Sequence, residues 1–219
     1  MQARHSDRKK YFNEQALTTR KYVIPYLQDL IEINENTSVL EIGCGEAGNL
    51  VPFLDMGCKR VVGIDISEGR IENGKLYHSD HPNYKNLELI AEDIYDTETT
   101  EEFDIIISRD VIEHIPNQEK FMNRCRDFMK PNGLYFIGFP PWYNPFGGHQ
   151  QLLKHKLFSK LPYFHIIPRS LYKGLLRLMG ESEAKIKGML EIYDTRITMD
   201  RLTKILKINN YQLLKKTDY

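Results

Sequence analysis

The sequence predicts an α/β fold, a doubly wound and mostly parallel sheet with helices on both faces. Short apolar runs alternate with helical patterns through the first two thirds of the chain, which is the signature of βαβ units. The first run passes directly into a glycine turn, Gly43-Cys44-Gly45-Glu46-Ala47-Gly48. Charged residues stand at or just past the ends of successive runs: Glu41, Asp65, Asp93 and Arg109. In such sheets, ligands bind outside the carboxyl ends of the strands.

Residues Tyr11 to Ile33 read as helical, with Pro25 opening a second helix, because proline is tolerated in a first helical turn. Ser38–Ile42 is the first strand, and Gly48 to Met56 a helix ended by Gly57. Arg60–Asp65 is the second strand, and Ser67 caps a helix that runs to about His78. Leu87–Ile90 and Phe103–Ile107 follow as strands, then a helix from Asn117 to Met129. A turn at Pro131-Asn132-Gly133 leads into a fifth strand, Leu134–Phe139. After it comes a proline- and aromatic-rich loop, Pro140 to His149, then two short basic amphipathic helices, Gln151–Ser159 and Ser170–Met179. A helix over Met199–Ile208 and a strand over Tyr211–Lys216 end the pattern. The expected organisation is an N-terminal helical lid (1–36), a ligand-binding core (37–139), a small basic and aromatic cap insertion (140–195), and a C-terminal helix and strand completing the core (196–219).

At 219 residues, with 41% hydrophobic and 27% charged residues, the chain is long enough for one sizeable domain. Thirty basic residues balance thirty acidic ones, so net charge gives no reason to expect a nucleic-acid partner. The polar N-terminus lacks the apolar stretch of a secretory signal, and no run is long enough to span a membrane. Three scattered cysteines without metal spacing suit free thiols in a reducing cytoplasm. Charge is nevertheless uneven. From Phe128 to Gly180 there is no Asp or Glu, while seven lysines and arginines fall in the same stretch.

Gly43-x-Gly45-x-x-Gly48, with Asp65 22 residues after Gly43, satisfies a dinucleotide-binding pattern. On that match alone an NAD(P)-dependent oxidoreductase is equally possible. Glu41 discriminates. A carboxylate close to a pyrophosphate costs about 1 to 4 kcal/mol, depending on screening. S-adenosyl-L-methionine instead offers an ammonium and a sulfonium, which an acid attracts. Asp65 is placed to accept from ribose hydroxyls and Asp93 from the adenine amino group, with Ile66 and Ile94 enclosing the adenine ring.

The series Val39–Gly48, Val62–Ser67, Ala91–Tyr95, Phe103–Ile115 and Lys130–Phe139 resembles the ordered motifs of the class I S-adenosylmethionine-dependent methyltransferases. It is most similar to the ubiquinone-biosynthesis branch (methyltransferase type 11). The resemblance implies Glu41, Gly43 and Gly45 near the methionine moiety, Asp65 at the ribose, Asp93 with Ile94 at the adenine, and Arg109 beside the cofactor. Two departures stand out: Ala47 where many members carry glycine, and no room for the family's antiparallel seventh strand.

Methyl transfer is an in-line displacement, so the protein mainly positions and desolvates its reactants. An oxygen or nitrogen acceptor still needs somewhere to leave a proton, and His149, after Gly147-Gly148, is the candidate base. His155 and His165 are expected as solvated members of the basic helices. Asp110, Glu113 and His114 resemble a cluster that holds a divalent cation in some ubiquinone-pathway enzymes. The preferred reading is that Glu113-His114 begins the next helix, so no metal is expected. Trp142 to Met179 combines aromatics with cations, which suits a small-molecule acceptor that is anionic, aromatic or lipid-like. Basic amphipathic helices equally suit peripheral contact with a membrane, and a subunit interface between monomers forming a homodimer is the third use of such a face. A non-catalytic binding module on the same scaffold is the remaining alternative.

Overall fold

The computed structural model describes residues 7–98 and 101–217. Its backbone divides into two compact units, one of residues 7–109 with 124–138 and one of residues 110–123 with 139–217. These differ from the sequence boundaries: the N-terminal helices belong to the sheet unit, and residues 196–217 belong to the other one.

The sheet unit contains five parallel strands, β1 (Ser38–Ile42), β2 (Arg60–Asp65), β3 (Leu87–Ala91), β4 (Phe103–Arg109) and β5 (Met129–Gly138), in the order β3-β2-β1-β4-β5. Every residue of β1 is buried, so Val39, Leu40 and Ile42 do not alternate with exposed polar residues, and Ser38 and Glu41 are polar groups taken out of water. The order reverses beside β1, so β1 and β4 border the switch point where ligands bind in such sheets. Register sets the charged residues there: Glu41 lies beside Gly63 and Ile107, Asp65 beside Ala91, and Arg109 beside Gly138.

One sheet face packs against α2 (Ile24–Gln28), α3 (Val51–Asp55) and α4 (Glu68–His78), while α1 (Arg8–Thr18) lies against the Gly48–Leu50 turn. Val39, Val61, Ile105 and Ile107 share a core with Val23, Leu27, Leu50, Phe53, Leu54 and Ile71. Each such side chain contributes roughly 1.5–3 kcal/mol by leaving water. Between α1 and α2 runs a π turn, Thr19–Val23, in which the Ile24 N–H bonds to the Thr19 carbonyl. Pro25 has no N–H to continue an α ladder, and a π turn absorbs the register shift. Gly48 lets α1 approach: a Cβ there would lie 2.4 Å from the Phe12 carbonyl oxygen.

The fifth strand is longer than the sequence suggests. Pro131-Asn132-Gly133 does not precede β5 but lies inside it, with Asn132 at φ 64° and a register irregularity opposite Phe103–Ile105. α5 (Gln118–Arg126) matches the expected helix apart from its C-terminal turn.

The second unit is helical, with α6 (Arg169–Leu178), α7 (Glu183–Thr195) and α8 (Met199–Ile208). Its core joins Trp142, Leu153, Phe164, Tyr172, Leu176, Ile186, Met189 and Tyr193. Two sequence expectations fail here. Gln151–Ser159 is not an α-helix but two 3₁₀ turns, Gln150–Leu152 and Phe158–Lys160; the Lys154 N–H between them bonds to the buried Glu181 carboxylate instead of a helical carbonyl. Tyr211–Lys216 forms no strand; Leu213 and Leu214 are exposed, and the Tyr211 hydroxyl donates to the Met122 carbonyl. Among the described residues no helix is long and apolar enough to cross a membrane.

Candidate active site

The glycine turn is built by backbone geometry that side chains disfavour. Gly43 has φ 73° and Gly45 φ 57°, a region open to glycine at little cost. The N–H groups of Gly43 and Cys44 both bond to the Ile64 carbonyl, at 2.8 and 3.1 Å, which seats the turn on the end of β2. Ala47 also has positive φ, 61°, so the alanine that replaces the family's glycine sits in a strained conformation.

Asp65 holds this arrangement from the other side. One carboxylate oxygen accepts from the Gly45 N–H at 2.8 Å, the other from the Ser67 N–H at 2.9 Å. Asp65 therefore shapes the turn and the start of α4 together. A carboxylate offers about four acceptor positions, so two backbone bonds leave capacity for ribose hydroxyls. Asp93 similarly accepts from the Tyr95 N–H at 3.0 Å and is exposed. Ile66 is 78% exposed, whereas Ile94 is buried; of the two expected adenine neighbours, only Ile66 offers a bare apolar surface.

Glu41 is 1% exposed. Its Oε1 accepts from Asn49 Nδ2 at 2.6 Å, while Oε2 is buried without a partner among the described residues. Burial pushes its carboxyl up to about 8, against the opposing Asn49 hydrogen bond and Arg109 charge and helped slightly by Asp65. A buried carboxylate with an orphaned oxygen is costly unless something cationic completes it. That vacancy, beside a turn shaped for close backbone approach, fits the ammonium of an amino-acid-bearing nucleoside and does not fit a diphosphate. Arg109, half-buried, donates through Nη1 to Asn49 Oδ1 at 2.7 Å and to the Thr19 hydroxyl at 3.0 Å. Asn49 and Thr19 had no part in the sequence reading, since nothing in their local pattern distinguishes them from ordinary helix residues.

The eight predicted cofactor residues Glu41, Gly43, Gly45, Asp65, Ile66, Asp93, Ile94 and Arg109 all belong to the sheet unit. His149 belongs to the other unit, in a left-handed conformation at φ 56°. Its Nε2 lies 3.6 Å from Glu113 Oε1, and its ring meets that of His114 edge-on at 5.8 Å. Glu113 is fully buried, and neither of its oxygens is hydrogen-bonded among the described residues. It lies in a 3₁₀ turn, Ile112–His114, ahead of α5 rather than in its first turn. Burial lowers the basicity of His114 against the attraction of Glu113. Among the described residues, no group of three His, Cys, Asp or Glu is arranged to hold a metal. His165 is not solvated as expected but buried, with Nε2 2.7 Å from the Trp142 carbonyl oxygen.

The acid-free stretch proves less basic than its sequence. Arg169 pairs with Asp194 and Arg177 with Glu183, both acids from α7, and Lys130 pairs with Asp104 in the sheet unit. Among the described residues, Lys154, Lys156 and Lys160 form no ion pair, and Lys173 acts on Glu183 only through space. A crevice of about 400 Å³ elsewhere in the sheet unit, along Arg60, Val62, Glu88 and Ile90, includes none of the predicted site residues.

Comparison with known proteins gives the family and the fold. A family model described as a methyltransferase domain matches residues 33–210. A ubiquinone biosynthesis O-methyltransferase of Rhodopseudomonas palustris (strain TIE-1) is 36% identical over 107 residues, 47% of this chain and 40% of that protein. A protein of the same description from Mesorhizobium japonicum is 33% identical over 104 residues, 47% of this chain and 41% of its own length. The chain thus spans about two fifths of the length of these curated relatives. Among solved structures, BH2331 of Bacillus halodurans C-125 superposes with a TM-score of 0.57 at 15% identity, covering 88% of this chain and 70% of that one. PKMT2 of Rickettsia typhi, in complex with AdoHcy, gives 0.55 at 22% identity over 87% of this chain and 43% of its own. At such identities these structures speak for the fold alone.

Proposed function

The chain belongs to the methyltransferase domain family, and from that premise we propose that it transfers a methyl group from S-adenosyl-L-methionine to a small acceptor by in-line displacement. The observation that carries this reading is Glu41, a buried carboxylate with one oxygen unpartnered among the described residues, ahead of a left-handed glycine turn. When bound, the cofactor supplies a methyl carbon already activated by its sulfonium. The residues bind and orient: Glu41 takes the ammonium, the Gly43–Gly45 turn admits the nucleoside closely, Asp65 takes the ribose, and Asp93 with Ile66 takes the adenine. A nicotinamide carrier would set its diphosphate against Glu41, which disfavours the oxidoreductase alternative.

On the acceptor side, His149 receives the proton the acceptor gives up. The Glu113 carboxylate, 3.6 Å away, is the group that would stabilise the imidazolium so formed. The acceptor is anionic or lipid-like. This is supported by Tyr143, Leu157, Leu171 and Leu178, which are more than half exposed in the stretch that carries Lys154, Lys156, Lys160 and Lys173. The same surface suits peripheral contact with an anionic bilayer.

The test is transfer of radiolabelled methyl from S-adenosylmethionine to fractionated cell extract. Label in the organic-soluble acidic fraction, reduced by His149→Gln, is the expected result. Label confined to protein or nucleic acid would overturn the acceptor reading, and no incorporation into any fraction would favour a binding module without turnover.

A further inference from the structure

We infer that Asn49 and Thr19 are positioning residues that hold Glu41 and Arg109 apart as a receiver for the two charges of a free α-amino acid. The inference rests on the cofactor reading above and adds residues that neither the glycine motif nor the strand ends point to. Asn49 lies in the 3₁₀ turn Gly48–Leu50 and is 2% exposed. Its amide nitrogen donates to Glu41 Oε1 at 2.6 Å. Its amide oxygen accepts from Arg109 Nη1 at 2.7 Å and from the Thr19 hydroxyl at 2.8 Å. That hydroxyl also accepts from Arg109 Nη1 at 3.0 Å. Only one amide orientation satisfies this ring, because the flipped one sets an NH₂ against a guanidinium and an oxygen against a carboxylate.

An amide is well suited to this place. Were Glu41 and Arg109 in direct contact, they would satisfy each other in a bidentate pair. Asn49 instead presents its donor to the acid and its acceptor to the cation, so each keeps unused capacity. Among the described residues Glu41 Oε2 has no partner and Arg109 is bonded only through Nη1. An α-amino acid carries an ammonium and a carboxylate on one carbon, which is the complement of such a separated pair. Thr19 reaches the ring because it opens the π turn ahead of Pro25, where it is 1% exposed. π turns of this kind recur at functional sites.

The experiment is calorimetric titration of the full chain with S-adenosylhomocysteine and with 5′-methylthioadenosine, which keeps the nucleoside and sulfur but lacks the amino acid. Asn49→Leu should weaken S-adenosylhomocysteine roughly 10- to 50-fold and Thr19→Val several-fold, as expected for lost hydrogen bonds to charged groups. Methylthioadenosine should change by less than about twofold in both variants, and Thr19→Ser should restore Thr19→Val, since only the hydroxyl matters. Equal losses for the two ligands, or unchanged S-adenosylhomocysteine binding, would overturn the inference and leave the cofactor reading intact. Should Asn49→Leu not fold, Thr19→Val alone decides. Wild-type protein that binds neither nucleoside would overturn the cofactor reading and this inference with it.

Discussion

Replacing Glu41 by glutamine separates the charge of this side chain from its shape. Glutamine can still accept from Asn49 Nδ2 through one oxygen, and its NH₂ occupies the position of the unpartnered Oε2. Burial raises the Glu41 carboxyl to about 8, above its ordinary value of 4.5. Between those two values the folded state holds a proton that the unfolded state has released. Stability attributable to Glu41 is therefore greatest at low pH and is lost as pH rises through this window, by about 1.4 kcal/mol per pH unit. Between pH 6 and 7.5 the wild-type protein should lose about 2 kcal/mol that the glutamine variant keeps. Ligand binding runs the other way. An ammonium needs the carboxylate, so S-adenosylhomocysteine should bind up to tenfold more tightly per pH unit towards pH 8, releasing close to one proton at pH 7. Glu41→Gln should abolish that proton release and weaken binding roughly 10- to 150-fold, the range for a charge-assisted hydrogen bond. Urea denaturation across pH and calorimetry in two buffers of different ionisation enthalpy read both quantities. Parallel pH–stability curves for the two proteins, or equal affinities, would refute the reasoning.

Three further outcomes follow from the same geometry. Gly48→Ala should cost about 1–3 kcal/mol of stability, because its Cβ meets the Phe12 carbonyl oxygen at 2.4 Å and α1 must move; urea denaturation checks it. Asp65→Asn should cost about 1–3 kcal/mol even without ligand, since its NH₂ must face either the Gly45 or the Ser67 N–H; a variant as stable as wild type would show that these bonds contribute little. His78 is buried with its basicity lowered to about 4 by desolvation, against the pull of the Ala47 carbonyl. Its contribution is complete above pH 6.5 and is lost as pH falls towards 4, at about 1.4 kcal/mol per pH unit, so His78→Phe should flatten the acid side of the stability curve.

The sheet was legible because short apolar stretches, such as Val39-Leu40, Val61-Val62 and Ile105-Ile106-Ile107, stand between turn residues, and in the structure they are buried. β1, β2 and α8 fall where the sequence puts them. Glu41 and Asp65 stand out in the sequence as charges within or closing such stretches. α7 has no counterpart among the elements expected from sequence, although Ser182 caps it and Ile186, Met189, Leu190 and Tyr193 recur at helical spacing. Asn49 and Thr19 are a different matter. Their roles arise from contacts 30 and 60 residues distant in sequence, and local periodicity carries no trace of those. The burial of His165 is not visible in its local sequence because it depends on distant Gly148, where a Cβ would lie 2.2 Å from the histidine side chain.

The most direct measurement is a side-by-side titration of the wild-type chain with S-adenosylhomocysteine and NAD at pH 7.5. Saturable one-to-one binding of the first, with none of the second at tenfold higher concentration, is what a buried acid before the glycine turn requires. Preferential binding of NAD would contradict the claim that Glu41 is there to meet a positive charge.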